Sequence, residues 1–353
     1  MELMYKNQCL CEFNEKNGQV KICGQLPYDL YLEESDEFDD RINNLNNIYH
    51  WGASRVLSLD RRYAKEILNS CCLSQATTDK DKFNVALKYN ALSLRDCFWI
   101  KTEENQKWEN INLFHNSLKE SFVDISLKGK SMTIENAHLI APDCSTHGVA
   151  AKAWIRSADE IYLLKGEVPG SDAVRKEVEA SHILKELGFD VVSYDRNEFD
   201  GMAVSKSKCY TSPDCNTVTA EGYMENNSMK ELLQNNPEIY HAFLKMQIAD
   251  YLIGNTDRHW ENWELWFCDD RKLVFGKMMD FNHAFEATEE TMNLPYQVVY
   301  GKTVSQKDAA IEAVRKLGMK IKKLDYSKYY YGSYVMKRYE QLEKHEGTEF
   351  PFV

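Results

Sequence analysis

Residues 248–285 of this 353-residue chain carry its most informative pattern, IADYLIGNTDRHWENWELWFCDDRKLVFGKMMDFNHAF. Two apolar runs, 263–267 and 273–279, flank the turn-forming residues 269–272, so the pattern predicts a short β-hairpin. A polar cluster stands at each end of this predicted hairpin. The first cluster is Asn255, Asp257, Arg258, His259 and Asn262, and the second is Asp280, Asn282 and His283.

The order of these polar residues fits the chemistry of phosphoryl transfer. A phosphoryl donor carries several negative charges, so one or two Mg²⁺ ions must be held by hard oxygen ligands. Asn262 and Asp280 would supply such oxygens from opposite ends of one hairpin. Asp257 would orient the attacking hydroxyl group and accept its proton. An Asp-x-x-x-x-Asn motif, followed 18 residues later (262 to 280) by Asp-Phe, fits the catalytic-loop acid, metal-binding amide and metal-binding acid of kinases.

Plainer interpretations of the same residues stay open. Asp257 and Arg258 would fit an ion pair in a surface turn, and Asp280 would fit an ordinary turn before a helix. His259 would either orient Asp257 or contact phosphate, or it would hold the loop by hydrogen bonds. A more remote alternative, which no paired ligand spacing supports, is a zinc site built from His259, His283 and Cys268.

The segments GNTDRHWEN (254–262) and DFN (280–282) resemble the HipA-like serine/threonine kinases, whose fold is distantly similar to that of protein kinases and phosphoinositide kinases. The resemblance implies that Asp257 is the catalytic base and that Asn262 and Asp280 bind metal. It also implies ATP and Mg²⁺ as cofactors and a small antitoxin as a protein partner. Because Asp-Arg-His also occurs in phosphoinositide and secretory-pathway kinases, the motif specifies phosphoryl transfer better than it specifies the substrate.

Composition narrows the class of protein. The net charge is −12 and the chain has no long basic run, so direct binding of DNA or RNA is not expected. No stretch approaches the roughly 20 apolar residues that span a bilayer, and the N-terminus does not read as a signal peptide. Ten cysteines without a C-x-x-C motif fit reduced thiols. These features predict a cytoplasmic protein that does not contact membranes.

A second polar turn precedes the hairpin. The pattern predicts strands at 137–142, 149–156 and 160–166, and the turn DCSTHG (143–148) separates the first two of them. Such a turn predicts a loop over a nucleotide phosphate, with contacts from Ser145, Thr146 and Gly148. The loop is poor in glycine, so a plain hairpin is the alternative. GVAAK (148–152) resembles the G-x-x-x-K of the HipA-like phosphate loop, which adds Lys152, although the flanking residues differ from the commoner Gly-Ala-Gln pattern.

Lys165 ends the apolar strand EIYLLKG, where an unpaired buried ammonium group would be costly. In kinases such a lysine contacts the α- and β-phosphates and a helix glutamate. The next predicted helix, 171–188, places Glu177 on its apolar stripe, whereas Glu179 falls among charged residues. The resemblance agrees, because the pairing glutamate of the family precedes the helix-ending glycine, here Gly188, by eleven residues.

The rest of the chain predicts structural elements. Residues 191–195 and 201–210 read as a strand pair joined by a turn at 196–200. Residues 33–47 read as a solvated linker or a helix start, and residues 282–305 occupy the place of a kinase activation or substrate-binding segment. A strand is predicted at 91–101, and helices are predicted at 60–75, 236–254, 305–318 and 326–345.

These patterns and the resemblance together predict an α+β, two-lobed protein-kinase-like fold with an additional N-terminal subdomain. The subdomain would span residues 1–130, with a regulatory or docking role, and the kinase domain would span 131–353, with lobes at 131–210 and 211–353. The predicted activity is transfer of phosphate from ATP to a protein serine or threonine, the chain's own residues included. Two alternatives stay open: a phosphoinositide or small-molecule kinase, and a kinase-like binding module of a toxin–antitoxin system.

Overall fold

The computed structural model describes residues 1–58, 61–70, 77–116, 126–128, 150–167 and 170–345. The chain divides into two compact units, the first comprising Met1–Gly166 with Lys208–Asn216 and the second comprising Glu167–Ser207 with Thr217–Val353. Residues 150–166 thus belong to the same unit as the N-terminal residues. The predicted division at residue 130 stays a prediction, because residues 129–149 lie outside the described part of the chain.

The first unit contains an antiparallel sheet of four strands. These strands are β1 (Glu2–Tyr5), β2 (Gln8–Phe13), β3 (Val20–Ile22) and β4 (Phe98–Lys101), in the spatial order β3-β2-β1-β4. Lys6 turns the chain between β1 and β2 with a φ of 51°. The predicted strand at 91–101 is therefore confirmed for residues 98–101, and the sequence analysis missed the three strands before residue 23.

The described part of the first unit also contains helices. They are α1 (Phe38–Ala53), α2 (Ala64–Ser70), α3 (Asp79–Leu87) and α4 (Trp108–Ile111). Helix α1 packs on α3 where Gly52 lies against the ring of Phe83, since a Cβ at position 52 would overlap that ring. The predicted helix start within 33–47 is confirmed at Phe38, and the helix predicted at 60–75 is observed from Ala64.

A β-hairpin also belongs to the first unit. Strands β5 (Lys152–Ser157) and β6 (Glu160–Gly166) pair antiparallel, with Lys152 opposite Lys165. Ala153 and Leu164 face each other in this register and are both buried. The predicted strands at 149–156 and 160–166 are thus confirmed where the structure describes them, whereas the strand predicted at 137–142 lies outside the described residues.

The second unit begins with a helix and a second hairpin. Helix α5 (Ala173–Glu186) ends before Gly188, which takes a φ of 90°, as predicted. Strands β7 (Tyr194–Phe199) and β8 (Met202–Lys208) pair antiparallel. The prediction of a turn at 196–200 was wrong, because β7 continues to Phe199. Asp200 and Gly201 make the turn instead, with φ of 49° and 79°, and this pair of positive φ values suits a tight hairpin of right-handed twist.

The centre of the second unit is α8 (Pro237–Ile253), preceded by β9 (Asn216–Thr219), α6 (Ala220–Asn226) and α7 (Met229–Asn235). Residues 246–253 of α8 are all buried, whereas Pro237, Glu238, His241 and Lys245 in its N-terminal half are exposed. It ends at Gly254 in the left-handed conformation (φ 57°), where a Cβ would overlap the Tyr334 hydroxyl. The predicted helix at 236–254 and its C-terminal glycine are confirmed.

The predicted hairpin and the later helices complete the second unit. Strands β10 (Glu264–Phe267) and β11 (Leu273–Phe275) pair antiparallel and form a sheet in the order β11-β10-β9. Helices α9 (Leu294–Tyr300), α10 (Gln306–Leu317) and α11 (Gly332–Glu343) follow, and the last two confirm the helices predicted at 305–318 and 326–345. No helix in the described part of the chain is both long enough and apolar enough to span a membrane.

Candidate active site

The loop that follows α8 is held by Asn255. Its backbone N–H donates to the carbonyl of Asp250 (2.9 Å) and its side-chain Nδ2 donates to Asp250 Oδ1 (3.2 Å). Its Oδ1 accepts a hydrogen bond from the backbone N–H of Asp257 (3.2 Å), and its own carbonyl accepts one from Gln306. Asn255 is fully buried, so these bonds are shielded from water. They place Asp257 at a defined distance from the end of the helix.

Arg258 lies in the interior of this loop. Its Nε and Nη2 donate to the two carboxylate oxygens of Asp250 at 2.9 and 3.0 Å, and both side chains are 3% exposed. A bidentate pair of this kind fixes the orientation of the guanidinium plane. The interpretation of Asp257 and Arg258 as a surface ion pair was therefore wrong, because Arg258 turns inward to Asp250.

The same guanidinium joins the two polar clusters of the sequence. Its Nη1 donates to the carbonyl of Met279 (2.8 Å) and also to the carbonyl of Asn262. Because both carbonyl oxygens accept from one nitrogen, they lie within about 6 Å of each other. Arg258 thus holds the end of the first cluster beside the residue that precedes Asp280.

Asn262 completes a turn of 3₁₀-helix, Trp260–Asn262, and is buried. Its side-chain Nδ2 donates to the carbonyl of Asp257 (2.8 Å) and to Asp257 Oδ2 (3.3 Å). These bonds turn the amide Oδ1 away from Asp257 and orient the carboxylate that they contact. Asp257 itself is 42% exposed at its side chain, so the carboxylate is accessible to a substrate.

His259 contacts the loop rather than the carboxylate of Asp257. Its Nδ1 accepts a hydrogen bond from the backbone N–H of Glu261 (3.3 Å) and so caps the 3₁₀ turn. Its Nε2 lies 3.9 Å from Asp257 Oδ2, which is too long for a hydrogen bond. Of the two roles considered for His259, these contacts favour the one of holding the loop.

Asp280 has an unusual backbone conformation. Its φ is 59°, in the left-handed region, which costs about 1–2 kcal/mol for a residue with a Cβ. Its backbone N–H donates to the hydroxyl of Tyr194 (3.3 Å), and the following Phe281 packs edge-on against the Tyr194 ring. Strain of this kind occurs where the surrounding structure imposes the position of a side chain. The sequence did not indicate the contact of Tyr194 with Asp280, because a tyrosine in a strand is common and carries no sign of its partner.

The chain reaches Asp280 by a path that the sequence did not predict. The apolar run at 273–279 is a strand only at 273–275, and Met278 then leaves the hairpin to form a parallel bridge with Val191. The backbone N–H of Met278 donates to the backbone carbonyl of Asp190 (3.0 Å), and the backbone carbonyl of Met278 accepts from the backbone N–H of Val192 (2.9 Å). Asp280 is therefore positioned by the segment between α5 and β7 as well as by the hairpin.

Glu177 is the inward-facing acid of α5, as predicted. It is 1% exposed and accepts a hydrogen bond from the hydroxyl of Ser205 in β8. Glu179 accepts instead from the backbone N–H of Tyr331 (2.5 Å) on another side of the helix. Lys152 and Lys165 are also buried, but they belong to the first unit, and the predicted pairing of Lys165 with Glu177 stays a prediction. Ser205 is a partner that the sequence analysis did not identify.

Three predicted phosphate contacts, Ser145, Thr146 and Gly148, lie outside the described residues. Within the residues that the structure describes, no group of three or more histidine, cysteine, aspartate or glutamate side chains could hold a metal ion. The zinc site considered for His259, His283 and Cys268 is therefore not formed. Binding of Mg²⁺ makes a smaller demand on the protein, since one or two side-chain oxygens can share the ion with phosphates and water.

A cluster of three glutamates lies beside His259. Burial raises the pKa of Glu221, and the neighbouring carboxylates of Glu261 and Glu225 raise it further, whereas His259 lowers it. Glu221 begins α6 and Glu261 lies in the 3₁₀ turn next to Asn262. His259 thus lies beside a cluster of acidic side chains.

Comparison with known proteins identifies the fold. No protein-family model and no curated protein matches the sequence. HipA of Shewanella oneidensis MR-1, solved as a toxin–antitoxin complex with HipB and operator DNA, aligns with 98% of this chain and 96% of its own at 12% identity and a TM-score of 0.56. The Helicobacter pylori proinflammatory kinase CtkA aligns with 55% of this chain and 89% of its own at 15% identity, and its TM-score of 0.37 is too low to bear on the fold. The predicted α+β, HipA-like kinase fold is confirmed.

Proposed function

We propose that this chain is an ATP- and Mg²⁺-dependent phosphotransferase whose acceptor is a protein serine or threonine. The observation that carries the proposal is the position of Arg258, whose Nη1 donates to the carbonyls of both Asn262 and Met279. This contact holds the loop of Asp257 beside the residue that precedes Asp280, which supports a site shared by the two acids. The HipA-like kinase fold supports the same assignment.

Asp257 is the proposed base. The Nδ2 of Asn262 donates to Asp257 Oδ2, so the second carboxylate oxygen would accept the proton of the attacking hydroxyl group. The exposure of Asp257 allows a protein segment to reach it. His259 and Arg258 would support this step by holding the loop in shape, since neither side chain is hydrogen-bonded to the Asp257 carboxylate.

The donor atoms at the site fit Mg²⁺. The carboxylate of Asp280 and the amide Oδ1 of Asn262 are hard oxygens, which Mg²⁺ prefers, and the amide is already oriented by its bonds to Asp257. When bound, the ion would neutralise negative charge on the phosphates. The strained φ of Asp280 would be part of this preparation, because it directs the side chain at a cost in stability.

The remaining roles follow from the sequence. Lys165 and Glu177 are proposed to position the α- and β-phosphates, and Lys152 is proposed to act with the loop of Ser145, Thr146 and Gly148. We further propose a small antitoxin-like protein as a partner, because the structural neighbour HipA was solved with HipB. The net charge of −12 disfavours direct contact of this chain with DNA, and the proposed location is the cytoplasm.

The test is phosphotransfer from γ-labelled ATP in the presence of Mg²⁺, followed by mass spectrometry of the chain and of added proteins. Wild type, Asp257→Ala and Asp280→Ala are compared under the same conditions. We expect labelled phosphoserine or phosphothreonine with wild type and a loss of at least about 100-fold in either variant, the usual size for a positioned base or metal ligand. Label in phosphoinositides alone would replace the proposed acceptor class, and undiminished activity of Asp257→Ala would refute the assignment of the base.

A further inference from the structure

The segment that follows Asp280 is tied to the catalytic loop by main-chain hydrogen bonds. The bonds run from Phe285 to Ile253 (2.6 Å), from Glu286 and Ala287 to Gly254 (3.2 and 3.0 Å), and from Thr256 to His283 (3.3 Å). Because these bonds are made by the backbone, the position of Glu286 beside the loop does not depend on its side chain. The carboxylate of Glu286 can therefore make a separate connection.

That carboxylate joins two elements of the proposed site. Its Oε1 accepts a hydrogen bond from Lys176 Nζ (2.8 Å), and its Oε2 accepts one from Thr256 Oγ1 (3.3 Å) and lies 3.1 Å from His283 Nδ1. Lys176 immediately precedes Glu177 in α5, and Thr256 immediately precedes Asp257 in the loop. One side chain thus contacts the neighbours of two proposed functional residues.

The pKa shifts of Glu286 and Lys176 agree with this geometry. Burial by itself would raise the pKa of Glu286, but the hydrogen bonds and charges of Lys176 and His283 hold it below its ordinary value. Burial by itself would lower the pKa of Lys176, but Glu286 and Asp172 raise it above its ordinary value. Both partners are therefore charged at neutral pH. The side chain of Lys176 is 15% exposed.

A second connection runs beside the first. The rings of Phe285 and Tyr331 stack with their centroids 4.2 Å apart. The Tyr331 hydroxyl donates to the carboxylate of Asp172, which lies at the start of α5. Asp172 also lies 2.9 Å from Lys176 Nζ. Helix α5 therefore remains attached when Glu286 is changed, and a variant at this position is expected to fold.

We propose that Glu286 is a positioning residue that couples the helix carrying Glu177 to the loop carrying Asp257. The coupling rests on the proposed function, in which both residues act on one phosphoryl transfer. A phosphate group added to an activation segment often supplies such a charge in regulated kinases. In this chain a carboxylate supplies it permanently.

The first test does not depend on activity. Glu286→Gln removes the charge and keeps the shape, and Glu290→Gln is its matched control, since Glu290 is an exposed acid in the same segment. Hydrogen–deuterium exchange of the full chain without nucleotide reports the opening of each region. We expect faster exchange in the first turns of Ala173–Glu186 in Glu286→Gln, because this helix loses the ionic contact of Lys176, and an unchanged pattern in the control.

The second test uses kinetics. We expect Glu286→Gln to lower kcat about tenfold, with a change in the KM for ATP of less than about threefold, because positioning affects the transition state more than nucleotide binding. Lys176→Gln and the double variant complete a cycle. If the two residues act as one pair, the double variant loses about as much as either single variant. Thermal unfolding is measured on each protein, so that a loss of folded protein is recognised.

The outcomes separate this inference from the proposed function. Unchanged exchange in Glu286→Gln would overturn the coupling, whether or not the chain is a kinase. An active wild type, an inactive Asp257→Ala and a fully active Glu286→Gln would also overturn it and would leave the proposed function intact. An inactive wild type would count against the proposed function, and the exchange experiment would still decide the coupling between the two elements.

Discussion

Replacing Arg258 by methionine should cost much more stability than replacing an exposed cation of the same unit. Arg258 and Asp250 are each 3% exposed, and Arg258→Met would leave the Asp250 carboxylate buried beside an apolar side chain. Two main-chain carbonyls, those of Asn262 and Met279, would lose the same donor. Because Asp250 is buried, water cannot replace the lost partner of its carboxylate.

The expected magnitude follows from the burial. Removal of one member of a buried ion pair costs about 3–5 kcal/mol, most of it from the charge that is left alone. At a typical urea dependence of about 2–3 kcal/mol per molar, the unfolding midpoint should fall by about 1–2.5 M. Lys307→Met is the control, because Lys307 pairs with Glu289 at 3.5 Å with side chains 35% and 68% exposed. An exposed pair of this kind contributes at most about 1 kcal/mol.

The assay is urea unfolding followed by circular dichroism and tryptophan fluorescence. The double variant Asp250→Leu with Arg258→Met removes the isolated charge, so it should be more stable than Arg258→Met alone by about 2 kcal/mol. A loss below about 1 kcal/mol in Arg258→Met would contradict the cost assigned to burial, since the pair would then behave as an exposed one. A double variant no more stable than the single one would refute the attribution of the cost to the charge of Asp250.

Two further outcomes are expected at the same site. The free energy of unfolding of Asp280→Gly should exceed that of Asp280→Ala by at least about 1 kcal/mol, because glycine accepts a φ of 59° without strain. Equal free energies of unfolding would argue against strain. Both variants should lose Mg²⁺-dependent ATP binding, which calorimetry measures. Glu221→Gln should raise the melting temperature at neutral pH by at most about 1 °C, because Glu221 is exposed and solvent screens its neighbours, and should leave it unchanged in acid. The raised pKa of Glu221 means that the folded chain binds the carboxyl proton more tightly than the unfolded chain does. The contribution of this proton to stability is therefore complete below the ordinary glutamate pKa, and it is lost as the pH rises through the pKa of the folded chain. A melting-temperature gain in acid instead of at neutral pH would contradict that sign.

Much of the candidate site was predictable because each of its elements shows a pattern within its own short stretch of sequence. The helix at 236–254 has apolar residues at helical spacing and a glycine at its end, and the structure ends it at Gly254. The hairpin was predictable from two apolar runs around a polar turn. Glu177 was distinguished from Glu179 by counting along one helix, and the structure buries the residue that the count selected. Periodicity within one element reports which side chains face inward.

Contacts between distant residues were not predictable in the same way. Strand β1 pairs with β4 almost a hundred residues later, and neither strand is long enough to show a clear alternation. The turn at Asp200 and Gly201 was missed because β7 is mostly polar and exposed, so its sequence resembled a loop. Such strands take their structure from a partner, and the identity of the partner depends on the path of the whole chain.

The order of the chemical groups is a property of the sequence alone: an acid, an amide and a second acid around one hairpin, with a glutamate on the buried stripe of a helix. The way these groups are held depends on tertiary packing. This packing turned Arg258 inward to Asp250, placed Met279 within reach of the same guanidinium, and brought Glu286 to Lys176. Local pattern specifies periodicity and therefore burial, whereas the partner of a buried charge is selected by packing among elements that are far apart in the sequence.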